Sequence, residues 1–285
     1  MLANLQSHTV KKAPPPGIWP ALPSTPALNP SHNLPSARTA ANDDVAACSA
    51  IVPADLGLGP QALSFGPTVL GRNAVPDFVR SEKLPGGQAL AATSLETAAL
   101  QMLVCDPSVE KIVPRGHVLS YSAMRNGGRH EHVFVPDVVF RRFGGEVCTL
   151  ALLPSWERNP HDPAWISKAA DLRAAYRSHG VTFLAWTERM PFARIPRRNR
   201  EFMLERAGAA TEVDLQKVRS AIDLHGLPSS VGALARRARL GSRSSLNRLL
   251  TCLTNLALKG EVALDMSRPF DGGSRVSAGP RLGQS

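Results

Sequence analysis

Pro136-Asp137 interrupts an apolar run, with Val133, Phe134 and Val135 before it and Val138 and Val139 after it. A carboxylate in such surroundings is costly to bury unless it meets a cation or a donor, which makes Asp137 a candidate metal ligand. The competing reading is a strand-end aspartate at the surface or in a turn. Glu96 follows Thr93 by three residues, a capping-box spacing that by itself accounts for a glutamate there. His130-Glu131-His132 sets two imidazoles on one face of a strand, able to hold a transition metal, but no third ligand stands at a suitable spacing. A solvated strand face is the simpler account of the pair. A second Pro-Asp, in Val75-Pro76-Asp77-Phe78, precedes the first helix without a strand meander around it and reads as a decoy.

The other chemistry is basic. Arg236, Arg237 and Arg239 load one helical pattern, and the next begins near Arg243, Ser244 and Ser245 and carries Asn247 and Arg248 on its polar side. Lys and Arg outnumber Asp and Glu by 33 to 23, a formal charge of +10, which favours a polyanionic partner, nucleic acid first. The four cysteines, Cys48, Cys105, Cys148 and Cys252, show no metal-ligand spacing and read as reduced and structural, in a cytosolic setting. No run of eighteen apolar residues occurs, so membrane insertion and secretion are not expected.

Periodicity places these residues on elements. Residues 1–60 hold ten prolines and little hydrophobic pattern, so they are expected to be a disordered arm, with Trp19 a candidate docking residue. Leu95, Ala98, Ala99, Met102 and Leu103 predict a helix from about residue 92. Strands are expected at Val109–Val113, His117–Tyr121, Val133–Phe140 and Val147–Leu153, divided by Asn126-Gly127-Gly128 and Gly144-Gly145. Asp162 caps a helix that starts at Pro163 and stops at Gly180, and a last strand spans Val181–Trp186. This order predicts a mixed sheet flanked by helices. No glycine-rich phosphate loop supports a doubly wound nucleotide fold.

A basic connector with Arg189, Arg194, Arg197, Arg198 and Arg200 leads to helical patterns at 212–224, 229–239 and 244–258. The last carries the stripe Leu246, Leu249, Leu250, Leu253 and Leu256. With Leu240-Gly241-Ser242 as the turn, this is a helix-turn-helix layout, and residues Glu261–Met266 and Arg275-Val276 predict a hairpin wing. The expected divisions are 1–60 arm, 61–195 α/β domain, 196–276 winged-helix domain and 277–285 flexible tail.

Leu95-Glu96, Val135-Pro136-Asp137, Gly144-Gly145, Pro154, the helix at 163–178 and Phe183-Leu184-Ala185-Trp186-Thr187-Glu188 together resemble the N-terminal domain of TnsA-type transposase endonucleases. The resemblance covers about residues 80–276, including the winged helix. It implies a restriction-endonuclease-like fold of the PD-(D/E)xK superfamily, in which a helix glutamate and a strand aspartate, here Glu96 and Asp137, hold a divalent metal. A carboxylate or amide and a lysine on the next strand complete that site. Here Leu150-Ala151-Leu152-Leu153-Pro154 puts Ala151 and Leu153 at those two positions.

Loss of one positioned proton-transfer group removes roughly two to four decades of rate, or about 3–5 kcal/mol of barrier. The expectation is therefore a TnsA-like accessory protein of a mobile element, catalytically inactive, that binds DNA and other transposase subunits in the bacterial cytoplasm at the nucleoid. It would use no cofactor or a residual Mg²⁺ at Glu96 and Asp137. The rival is a metal-dependent DNA endonuclease in which Glu157 or Lys168 fills the vacant role, or which partner subunits activate. A third reading is a transcription regulator that dimerises through its α/β domain.

Overall fold

A computed structural model of the chain describes residues 50–51, 55–59, 77–125, 127–153, 161–240 and 245–282, all within one compact unit, Val45–Ser285. Trp19, Glu157, Arg243, Ser244 and most of the expected arm lie outside the described residues.

The N-terminal half is built around helix α1 (Ser94–Cys105) and a sheet of β4 (Val109–Pro114), β7 (Val138–Arg142), β8 (Val147–Leu153) and β9 (Thr182–Thr187), in that order. The first three strands are antiparallel neighbours. β8 and β9 run parallel and are joined by helix α2 (Pro163–Arg177), as a parallel pair requires a crossover. Thr93 Oγ1 accepts the Glu96 N–H at the start of α1, and Asp162 accepts the Ala164 N–H at the start of α2, both as the sequence predicts. Alternation along β8 sends Leu150 and Leu152 into the apolar cluster under α1, and Ala151 and Leu153 into the cluster under α2.

Three expectations change here. Val133–Phe140 is not one strand: β6 (Gly128–Phe134) ends before Pro136, and β7 starts after Asp137. Proline has no N–H for a ladder, and the chain switches sheets at this break. β6 pairs with β5 (Leu119–Arg125), and β5 pairs on its other side with β1 (Ala50–Ile51), giving a separate sheet of order β1-β5-β6. The end of the expected arm is therefore structured, and Leu58 packs with Val113 and Val139. The Asp77 decoy begins a strand of its own, β2 (Asp77–Arg80), which pairs with β3 (Gln88–Ala91).

The basic connector also contains a helix, α3 (Arg194–Glu205). Its buried side is Asn199, Arg200 and Met203, too polar to register as hydrophobic periodicity. After it come α4 (Glu212–His225), β10 (Ser229–Ser230), α5 (Val231–Ala238), α6 (Ser245–Leu258), β11 (Val262–Leu264) and β12 (Arg275–Ala278). The three strands form an antiparallel sheet of order β10-β12-β11, one strand more than the expected hairpin. Beyond residue 276, β12 continues to Ala278, and the Arg281 N–H donates to Gly260 O, so the chain stays tied down through the expected tail.

The two halves share packing. Cys105 at the end of α1 belongs to the C-terminal core, and Leu204 and Leu258 pack against both cores. Asn199 Nδ2 donates to Met266 O and Arg268 O, fixing the β11–β12 loop on α3. Gly260 has φ +76°, and a Cβ there would stand 2.6 Å from Phe143 Cε2 and 2.9 Å from Pro107 O. No helix among the described residues is long and apolar enough to cross a membrane. Gly260→Ala is expected to lower unfolding stability by about 1–3 kcal/mol in urea titrations, through strain at a left-handed position and overlap with the N-terminal half.

Candidate functional site

Both acidic residues singled out in the sequence contact Arg115, Glu96 through its carboxylate and Asp137 through its backbone carbonyl. Glu96 is 4% exposed, and its Oε2 accepts the Ala92 N–H at 2.7 Å while its Oε1 forms a close ion pair with Arg115 Nη1. Arg115 takes a left-handed backbone, φ +48°, and its N–H donates to Asp137 O at 3.0 Å. Asp137 sits in the break between β6 and β7. Its N–H donates to Leu150 O, and its Oδ2 accepts the Leu152 N–H at 2.7 Å. The carboxylate thus acts as a side-chain extension of the ladder along β8, a role available to an aspartate that follows a proline.

Ala151 and Leu153 are buried in the apolar cluster with Leu172, Ala175 and Tyr176 of α2, so the two positions that the TnsA resemblance would give a carboxylate or amide and a lysine are core. Magnesium requires near-octahedral oxygen coordination. Both Glu96 oxygens already accept donors, and a guanidinium lies against one of them. Among the described residues no group of three or more His, Cys, Asp or Glu could hold a metal. The donors, as arranged, do not fit a Mg²⁺ ion at Glu96. Lys168 has its ammonium 5.8 Å from the Phe134 ring centroid, on the α2 side of the sheet.

His130 and His132 both lie exposed on β6, with His132 stacked on Tyr121 at 5.3 Å. The cysteines among the described residues are buried, which pushes Cys105 and Cys148 up to about 12 and Cys252 to about 11 and disfavours the thiolate, while Cys48 lies outside the described residues. Lys83, which the sequence reading passed over, is 7% exposed and donates to Val104 O and Asp106 O at the end of α1. Burial lowers its pKa to about 8, but both contacts are helix-terminal carbonyls, so its work is capping.

No protein-family model and no curated protein sequence matches this chain. Function has to be argued from its own surface.

That surface is basic at the C-terminal end of α5. Arg236, Arg237 and Arg239 are exposed, and none has a hydrogen-bond or ion-pair partner among the described residues. Arg239 ends the helix in a left-handed conformation, φ +48° and ψ 48°, where glycine or asparagine is the unstrained choice. Asn247 is exposed on the first turn of α6. Arg248 is committed to the fold: Nη2 donates to both Asp214 oxygens at 2.8 and 2.7 Å, and Nη1 donates to Leu240 O at 2.7 Å. These bonds hold the Asp214 carboxyl below its usual pKa and tie α6 to α4 and to the α5 end.

The apolar stripe of α6 is Leu249, Leu250, Leu253 and Leu256; Leu246, expected in it, is 38% exposed because the helix enters the core only one turn later. From Cys252 to Ala257 every side chain is buried. Asn255 explains part of this: its Oδ1 accepts the Gly208 N–H and its Nδ2 donates to Arg206 O. The hairpin expected at 261–276 also carries charge. Arg268 and Arg275 are exposed there, on a loop held by Gly232 N–H to Gly272 O at 2.7 Å and Val231 N–H to Ser274 O at 2.9 Å.

Arg115→Met strips the buried Glu96 of its counter-charge and is expected to cost about 3 kcal/mol in chemical denaturation, while the double variant Glu96→Gln/Arg115→Met recovers most of it. Equal costs for the single and double variants would show that the pair is not what stabilises this corner.

Proposed function

We propose that this chain binds DNA through its C-terminal half and does not cut it, as a TnsA-like accessory protein of a mobile element. The observation that carries the reading is the set of exposed arginines without partners among the described residues, Arg236, Arg237 and Arg239, at the helix end that leads into the open first turn of α6. Arg141, Arg197 and Arg219, by contrast, pair with Glu110, Glu201 and Glu261. Unpaired guanidinium groups on a chain of charge +10 suit phosphates, whose binding releases condensed counterions.

Two topological facts support the finer assignment. In the N-terminal half, α1, β4, β7, β8, α2 and β9 occur in that order, with β5 and β6 inserted between β4 and β7, and the sheet order β4-β7-β8-β9 suits a restriction-endonuclease-like core. In the C-terminal half, α4, β10, α5, α6, β11 and β12 with the order β10-β12-β11 suit a winged helix. The loss of cutting rests on Ala151 and Leu153 being core and on Glu96 being held by Arg115. In this reading Arg268 and Arg275 add phosphate contacts from the wing, and partner transposase subunits supply the chemistry.

Supercoiled plasmid incubated with the full chain and Mg²⁺ or Mn²⁺ should be retarded in gels but not nicked, by the wild type and by Asp137→Ala alike. Nicking that Asp137→Ala abolishes would overturn the inactive reading. Arg239→Gly separates binding from folding: it should raise unfolding stability by up to about 1 kcal/mol by relieving the left-handed backbone, yet weaken DNA binding. Each phosphate-contacting arginine removed should also reduce the slope of log affinity against log salt by about 0.9. An unchanged slope in Arg236→Ala, Arg237→Ala and Arg239→Gly would exclude this face.

A further inference from the structure

β6 is the open edge of the sheet β1-β5-β6, and residues 129–133 are all exposed. Among the described residues β5 is its only neighbour, so alternate N–H and C=O groups along β6 point away from the sheet unpaired. Native proteins guard such edges with charge, and a guard of one sign repels every copy of itself. β6 instead carries Arg129 and Glu131 two residues apart on one face, with Arg129 Nε 3.3 Å from Glu131 Oε1, and His130 and His132 on the other.

That arrangement is complementary to its own reverse. Two copies of β6 related by a two-fold axis perpendicular to the sheet pair residues of equal parity, so the axis passes through a residue. Centred on His130, the pairing sets Arg129 of each copy against Glu131 of the other, and Gly128 opposite His132, where the absent side chain leaves room for the imidazole. Centred on Glu131, it sets two glutamates side by side, which is unfavourable; centred on His132, it sets Glu131 against Val133 and makes no ion pair. Only the register centred on His130 pairs Arg129 with Glu131.

The geometry points to a symmetric dimer in which a second copy of this chain adds its β6 antiparallel to β6, centred on His130, making one continuous six-stranded sheet. Both ion pairs lie on the same face of the joined strands, forming a four-charge cluster with the pairs already present within each strand. The partner is a second copy because the edge carries both signs in the order that only its own reversal matches.

Sedimentation of the full chain over a range of micromolar concentrations tests this. The wild type is expected to dimerise, Arg129→Glu or Glu131→Arg to weaken dimerisation by about tenfold or more, and the double variant Arg129→Glu/Glu131→Arg to restore it. All four positions of the charge cluster are exposed, and circular dichroism checks that each variant keeps its fold. A second arm reads the register: under mild oxidation His130→Cys, on the two-fold axis, should form an interchain disulfide faster than His132→Cys. The proposal is overturned if the wild type stays monomeric, if either single reversal dimerises like the wild type, if the double variant fails to recover, or if position 132 cross-links as fast as 130. None of these residues belongs to the proposed DNA surface, so gel retardation by a monomeric variant separates failure here from failure there.

Discussion

β8 has to be apolar on both faces, because it lies between an antiparallel neighbour and a parallel one with a helix packed over each side of the sheet. Cys148 through Leu153 are all buried, dividing alternately between the α1 and α2 cores. Parallel pairing with β9 needs the α2 crossover, and α2 needs an apolar floor, which Ala151 and Leu153 provide. A carboxylate and a lysine at those two positions would require a wet cleft between the sheet and α2. Polar groups introduced there would be placed in core.

The same economy governs the polar residues that remain inside. Glu96 is neutralised by Arg115, Asp137 completes the β8 ladder, and His117 is tied down twice, its Nδ1 to Leu56 O at 3.1 Å and its Nε2 to Tyr176 Oη at 3.0 Å. A carbonyl only accepts, so Nδ1 carries the proton and Tyr176 donates to Nε2; burial lowers the pKa of His117 and keeps the ring neutral. Each of these groups anchors a connection: the strand break at Pro136, the turn after β4, or the segment 55–59. In the C-terminal half Asn199, Asn255 and Arg248 do the same for the β11–β12 loop, the α3–α4 turn and the α5 end.

How much of this was legible in the sequence depends on what each element buries. α1, α2 and α4 announce themselves through Thr93, Asp162 and an apolar stripe, and their starts and ends fall close to expectation. α3 does not, because it packs through Asn199 and Arg200, and no hydropathy pattern reports a hydrogen bond. The strand break at Pro136 is readable from the proline alone, yet the continuous apolar run concealed that its two ends belong to different sheets. Arg248 is the clearest loss among the candidate binding residues: on the helix surface it looks like Arg236, and only the proximity of Asp214, which is 34 positions away in the chain, distinguishes a structural guanidinium from an available one.

The burial of α6 bears on how much information such a domain can extract from a duplex. Past Thr251 the helix is enclosed, leaving its first seven residues, Ser245–Thr251, roughly 10 Å of helix, of which Leu249 and Leu250 face the core and the rest stand open. That window spans about three base-pair steps of 3.4 Å each. A word of three base pairs recurs by chance every few dozen positions, far too often to address one locus among the roughly 10⁶ or more competing sites of a genome. If this helix meets DNA, the protein holds it in register and leaves the choice of address to another component.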